Sequence, residues 1–319
     1  MNQTYCHPLK KILDTSYNCD KVVPEDGATL MRDIYSEITD RIVSSLEAGV
    51  QPWFQPWKSG QPVAFPRRHN GESYRGVNVV ILWIASMEKG YRNPTWMTFN
   101  QAKDLGGHVR KGEHGTQIVF TSSYTKDGDD GESRTVKFLK TYTVFNCEQI
   151  EGLPEKYALP PEPVVENTDV RSETADAFFA GLGMDLRHGG NKAFYQPTAD
   201  YVQMPEFGDF VSAADYYCTL SHESIHWTKN EKRLDRDLGK KRWGDEGYAM
   251  EELVAEIGAA FVAADLGLMA KPRADHASYI ANWLQVLKND KRAIFSAAHL
   301  AEQAASYLHS INKPQRVAA

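Results

Sequence analysis

The chain has 319 residues, 42% hydrophobic and 24% charged, an ordinary soluble composition with length enough for two domains. No run of 18 or more apolar residues occurs, which excludes a membrane-spanning helix and a membrane partner. The net charge of −6 hides an uneven distribution: residues 58–126 hold ten Lys and Arg against four Asp and Glu, whereas residues 161–319 hold 17 against 23. A basic stripe inside an acidic protein points to an anionic partner at that stripe. The N-terminus lacks a basic segment followed by an apolar one, so it does not read as a secretory leader. Cys6, Cys19, Cys147 and Cys218 are scattered without metal-type pairing and read as free thiols, so the expected location is a reducing cytoplasm.

In chain order, residues 1–27 are irregular and polar. From residue 28 a helix is expected, with Ile34, Ile38, Ile42, Val43 and Leu46 forming an apolar stripe and Gly49 stopping it. The next eight residues contain Pro52, Pro56, Trp53, Phe54 and Trp57 and read as extended. A loop with Arg67, Arg68, Tyr74, Arg75 and Asn78 leads into a buried helix at 79–85. A short helix over 98–107 with a glycine stop follows, then a glycine-rich basic turn at 108–115. Residues 116–124 and 136–145 read as paired strands joined by an acidic, solvated turn. Residues 151–170 are the best linker, with Pro154, Pro160, Pro161 and Pro163, separating domains at 28–150 and 171–319. The second part reads as a helix at 174–182, short strands at 185–187, 194–196 and 201–204, and helices around His222, Glu252, 277–287 and 293–311.

The stretch His222-Glu223-Ser224-Ile225-His226 matches H-E-x-x-H. Residues four apart share a helix face, so His222 and His226 can hold one cation while Glu223 can reach a water beside it. Tyr248 to Val262 reads as a second helix in which Glu252 and Glu256 share a face. A catalytic zinc site takes three protein ligands, and Glu252 supplies the third. Glu256 can accept the far N–H of a ligand histidine and fix its tautomer. Glu251 reads as a solvent-facing acid. Two histidines and a carboxylate suit Zn2+ and also Mn2+.

In the N-terminal part, Trp53, Trp57, Tyr74 and Asn78 interleave with Arg67, Arg68, Arg75, Arg110 and Lys111, and these nine are the residues expected to touch DNA. Cations track phosphates and aromatic faces stack unpaired bases, a mixture suited to single-stranded DNA. Trp83 sits in an apolar run and reads as core; Trp53 and Trp57 fit either a stacking surface or the core.

The segments 32–57, Tyr74-Arg75-Gly76-Val77-Asn78, 98–102 and 106–115 resemble the N-terminal domain of the ArdC antirestriction proteins, and the helices of His222 and Glu252 resemble that family's C-terminal part. The resemblance covers roughly residues 28–310. It implies an α+β fold of two domains, an N-terminal DNA-binding domain and a C-terminal zincin-like metallopeptidase domain. It further implies carriage by conjugative plasmids and phages, non-specific binding of single-stranded DNA, and protection of incoming DNA from host restriction. Carried over by residue, His222, His226 and Glu252 are the metal ligands and Glu223 the base. Tyr248 and His188 are candidates for stabilising an oxyanion. Three alternatives stay open: a DNA-coating protein whose metal is structural, a DNA-dependent peptidase acting on a restriction enzyme or a DNA-associated protein, and a sensor that cleaves a repressor.

Overall fold

The computed structural model describes residues 34–54, 64–127, 133–159, 170–236, 238, 246–268 and 277–312, with the backbone alone at 121–127, 133–139 and 277–278. Trp57, residues 1–33, residues 128–132 of the acidic turn and residues 160–169 of the Pro-rich stretch lie outside them.

Helix α1 (Ile34–Glu47) buries the expected stripe of Ile38, Ile42, Val43 and Leu46. It stops where Gly49 takes φ 76°, a left-handed conformation that glycine adopts without steric cost. Strand β1 (Arg67–Arg68) precedes α2 (Val77–Lys89), which is apolar nearly all round and buried from Val79 to Ser86. Then come β2 (Thr95–Thr98), absent from the sequence reading, and α3 (Phe99–Asp104). Thr98 and Gln101 cap α3 reciprocally, each side chain accepting the other's backbone N–H.

Strand β3 (His108–Val109) is followed by the long antiparallel pair β4 (Thr116–Asp127) and β5 (Ser133–Asn146), then β6 (Ile150–Glu151). One sheet runs β1-β2-β5-β4, with β1 parallel to β2 and the rest antiparallel; β3 pairs with β6. Asn78 ties α2 to this sheet, exchanging two 2.8 Å hydrogen bonds with the backbone of Val119.

The C-terminal part opens with α4 (Glu173–Gly181) and a three-stranded sheet, β7 (Asp185–His188), β8 (Phe194–Gln196) and β9 (Tyr201–Met204), ordered β7-β9-β8. Four helices follow: α5 (Ala213–Trp227), α6 (Glu246–Asp265), α7 (Ala277–Asn289) and α8 (Ala293–Ile311). The fold is α+β, as the residue patterns imply. No helix among the described residues is long and apolar enough to cross a membrane.

One hydrophobic core runs from α1 through α8, and it does not divide at the Pro-rich stretch. Trp83 of α2 lies edge-on to Phe261 of α6, with ring centroids 5.7 Å apart, and Phe65 meets both rings. Tyr35 of α1 meets Phe295 of α8 at 4.8 Å. Leaving a large apolar side chain of this kind exposed rather than buried costs about 1.5–3 kcal/mol, so the N-terminal part leans on the C-terminal helices for its stability.

Helices α5 and α6 approach closely because Gly258 faces Ile225. A Cβ built at Gly258 would stand 2.9 Å from two carbons of the fully buried Ile225 side chain. Gly258→Ala is therefore expected to destabilise the protein by about 1–3 kcal/mol through overpacking, despite the better helix propensity of alanine. Chemical denaturation checks this; an alanine variant as stable as the parent would show that the helices can separate freely.

Candidate metal centre

Helix α5 begins at Ser212, whose hydroxyl accepts the backbone N–H of Asp215, and all its residues but Asp215 are buried. Burial on every side forces the polar groups of this helix to find partners inside the protein. The spacing of four places the imidazoles of His222 and His226 together, with their Nε2 atoms 3.1 Å apart. Two nitrogens each about 2.0–2.1 Å from one tetrahedral ion sit about 3.3 Å from each other, so the pair is already set for a shared cation.

Helix α6 completes the donor set. Glu252 stands 3.5 Å from His222 Nε2 through one oxygen and 3.4 Å from His226 Nε2 through the other. These three residues form the one group among the described residues whose donor atoms all converge, within 4.8 Å of one another. Burial pushes the Glu252 carboxyl up, but the two imidazoles outweigh it and hold the group well below the usual carboxylate range.

Each imidazole turns its other nitrogen to a second carboxylate. His222 Nδ1 lies 3.0 Å from Glu256, the partner expected for it. His226 Nδ1 lies 2.9 Å from Glu251. A proton on both Nδ1 atoms leaves both Nε2 lone pairs aimed at the common point, the tautomer a divalent ion requires. The donor set therefore fits the ion that its chemistry implies.

Glu251 corrects the reading from sequence. It is 8% exposed, not solvent-facing. Besides His226 it takes a two-pronged salt bridge from Arg236, at 2.9 Å on each oxygen. Arg236 is itself buried and gives two further N–H groups to Thr228 Oγ1 and the Ile225 carbonyl, each at 3.0 Å. Burial drives the Glu251 carboxyl up; His226 and Arg236 more than reverse this and hold it at about 2. Sequence reasoning missed both residues. The available signal was that α6 is apolar around its whole circumference, so any acid on it needs a partner.

Glu223 is buried beside His222 on α5. Tyr248, one turn before Glu252, stacks on Tyr279 and has its hydroxyl 3.4 Å from that of Tyr279. Burial first, then Tyr279 and Glu252, hold the Tyr248 hydroxyl well above the usual phenol range, which keeps it protonated next to Glu252. His188 points elsewhere: its Nε2 bonds the Tyr216 hydroxyl at 2.9 Å.

The residues expected to touch DNA divide. Trp53 is 0% exposed and packs edge-on against Trp283, with centroids 5.7 Å apart, so it is core and offers no face to a base. Tyr74 is 5% exposed, held beneath the Arg68 guanidinium. Asn78 spends its amide on Val119, as described, and serves as a structural clamp. The shared core corrects the first two expectations and the Val119 backbone the third, and the sequence displays neither partner. Arg67, Arg68, Arg75, Arg110 and Lys111 are at the surface or half exposed. Three of them have an acidic neighbour: Glu72 for Arg68, Glu302 for Arg75 and Glu113 for Arg110.

A pair of histidines one helical turn apart, with a glutamate supplied by the following helix, defines a zincin-like domain, and a zincin-like metallopeptidase family model matches residues 173–300. The model for the N-terminal domain of anti-restriction factor ArdC matches residues 32–145. Crystal structures of the antirestriction protein ArdC from plasmid R388 superpose with TM-scores of 0.77 (metal-free) and 0.76 (Mn(II)-bound). They are 45% and 43% identical to this chain, covering 88% and 89% of it and 98% and 100% of their own length. The protein y4eC of Sinorhizobium fredii is 42% identical over 87% of this chain and 92% of its own. DNA primase TraC of Escherichia coli is 36% identical over 90% of this chain, which spans only 28% of that longer protein. The chain belongs to the ArdC antirestriction family.

Proposed function

We propose that this protein is an antirestriction factor of a mobile element, a conjugative plasmid or phage. It coats single-stranded DNA non-specifically through its N-terminal domain and carries a metal-dependent peptidase centre. The observation that carries the second half is the convergence of His222, His226 and Glu252 on one point, with a carboxylate behind each imidazole. Those three residues would hold a divalent ion, zinc in this reading, with manganese the ion present in the related R388 structure. When bound, such an ion polarises a scissile carbonyl and lowers the pKa of water. Glu223 takes the proton of the attacking water, as its place beside the first ligand suits it to do. Tyr248, kept protonated, is the hydroxyl in reach of Glu252 that can donate to a developing oxyanion. Candidate substrates are a host restriction enzyme or another protein attached to the DNA.

The coating role is supported by the basic character of residues 58–126 and by DNA-directed relatives. The shared core dictates that the test be made on the whole chain. Five phosphate contacts from Arg67, Arg68, Arg75, Arg110 and Lys111 would set a slope of about −3.5 for log affinity against log salt on a single strand. The acidic neighbours of three of them bring the expected slope closer to zero than that. Binding isotherms at several salt concentrations check this. Affinity independent of salt would remove the electrostatic coating reading, and a plain metallopeptidase or a repressor-cleaving sensor would take its place.

A further inference from the structure

The buried tryptophans leave open which aromatic faces meet the bases. We propose that one face of the β4–β5 ribbon, built on Phe120 and Tyr142, is the base-stacking surface for single-stranded DNA; this rests on the coating function above and names its site.

Phe120 and Tyr142 are 52% and 46% exposed and lie edge-on with ring centroids 6.2 Å apart. Lys140 pairs directly opposite Phe120 and is exposed. The pairing runs from Thr116↔Val144 to Asp127↔Ser133 without a bulge, so the alternation of faces is kept along the whole ribbon. By register, Tyr124 and Phe138 occupy positions on the same side as Phe120 and Tyr142, and Lys126 and Arg134 do as well. No acid occupies a paired position on that side, and no aromatic residue a paired position on the other.

The same side is buried at the root of the ribbon, through Ile118 and Val144, and the exposed rings begin where the core ends. Strand geometry suits the ligand. Successive levels on one face of the ribbon are separated by about 6.8 Å, and Tyr142, Phe120, Phe138 and Tyr124 occupy four successive levels, on alternate strands. A ring inserted between neighbouring bases needs about twice their 3.4 Å stacking distance, which is the same spacing. Aromatic groups in that rhythm, interleaved with cations and free of acids, fit a backbone of phosphates carrying splayed bases better than they fit a protein partner.

The test uses the full chain and a labelled single-stranded oligodeoxynucleotide of mixed sequence. The double variant Phe120→Ala/Tyr142→Ala is expected to bind at least tenfold more weakly at fixed salt, with an unchanged salt slope and melting temperature. Phe120→Trp with Tyr142 intact should bind as the parent does. Lys140→Gln should reduce the salt slope by about 0.7, the share of one phosphate on a single strand. Phe99→Ala, which removes an exposed ring that packs on Phe145 outside this face, should leave binding unchanged. A double variant with parental affinity overturns the proposal while the coating function stands. A double variant that instead loses self-association, with DNA binding intact, assigns the face to a second copy of the chain and also overturns it. A parent that binds no single strands at all overturns both this proposal and the reading beneath it.

Discussion

Replacing Arg236 by methionine is expected to lower the unfolding free energy by about 3–5 kcal/mol, the cost of stripping the partner from a buried charge. Glu251 is the charge left behind, enclosed between α5 and α6, with the His226 imidazole at 2.9 Å and the more distant Lys229 ammonium at 3.9 Å as its remaining partners. Two further bonds go with the guanidinium, those to Thr228 and to the Ile225 carbonyl, and both acceptors lie at the end of the helix that carries His226. Methionine keeps most of the volume, so the loss reports charge and hydrogen bonding more than packing. The same substitution is expected to weaken divalent-metal binding by about 10–100-fold, since Glu251 orients a ligand histidine and Arg236 orients Glu251. Urea unfolding and calorimetric titration of zinc or manganese check the two effects separately. The double variant Arg236→Met/Glu251→Gln should regain much of the stability, because no unpaired charge remains. A single variant within 1 kcal/mol of the parent would show that the pair contributes little and that His226 is held by packing alone.

Glu223→Gln should reduce peptide hydrolysis by about 10²–10⁴-fold, the usual contribution of a positioned general base. The amide has the shape of the carboxylate but cannot take the proton. Metal stoichiometry, single-strand affinity and melting temperature are expected to stay at parental values, because Glu223 is neither a ligand nor part of the basic surface. Protein cleavage assayed with and without single-stranded DNA reads the first effect. Transfer of unmodified DNA into a restricting host reads its consequence. If the variant protects that DNA as well as the parent does, coating alone accounts for protection, and the metal serves the fold.

Much of the candidate metal centre was legible in the sequence for a local reason. The rotation of a helix per residue is fixed by backbone dihedrals, so spacings of four place His222 with His226 and Glu252 with Glu256 in any context. The glycine stop at Gly49 and the alternating strands of the ribbon are local in the same sense. β2 escaped because it runs straight into α3, its last residue, Thr98, reading as the start of that helix, and Glu251 escaped because it reads as a solvent-facing acid.

The aromatic residues show where sequence stops. Trp53 and Tyr74 look like Phe120 and Tyr142 in one dimension, each an aromatic near basic groups. Trp53 is closed off by Trp283, some 230 positions away, whereas Phe120 and Tyr142 remain about half exposed. By itself, then, the sequence determined the helices, the strand alternation, the ligand spacing and the family. Only the tertiary structure decided which carboxylate backs which imidazole, that Arg236 completes the site, and which aromatic faces remain in water. The first group follows from backbone geometry over a few residues; the second depends on which distant surfaces meet, and that is set by the packing of one core shared from α1 to α8.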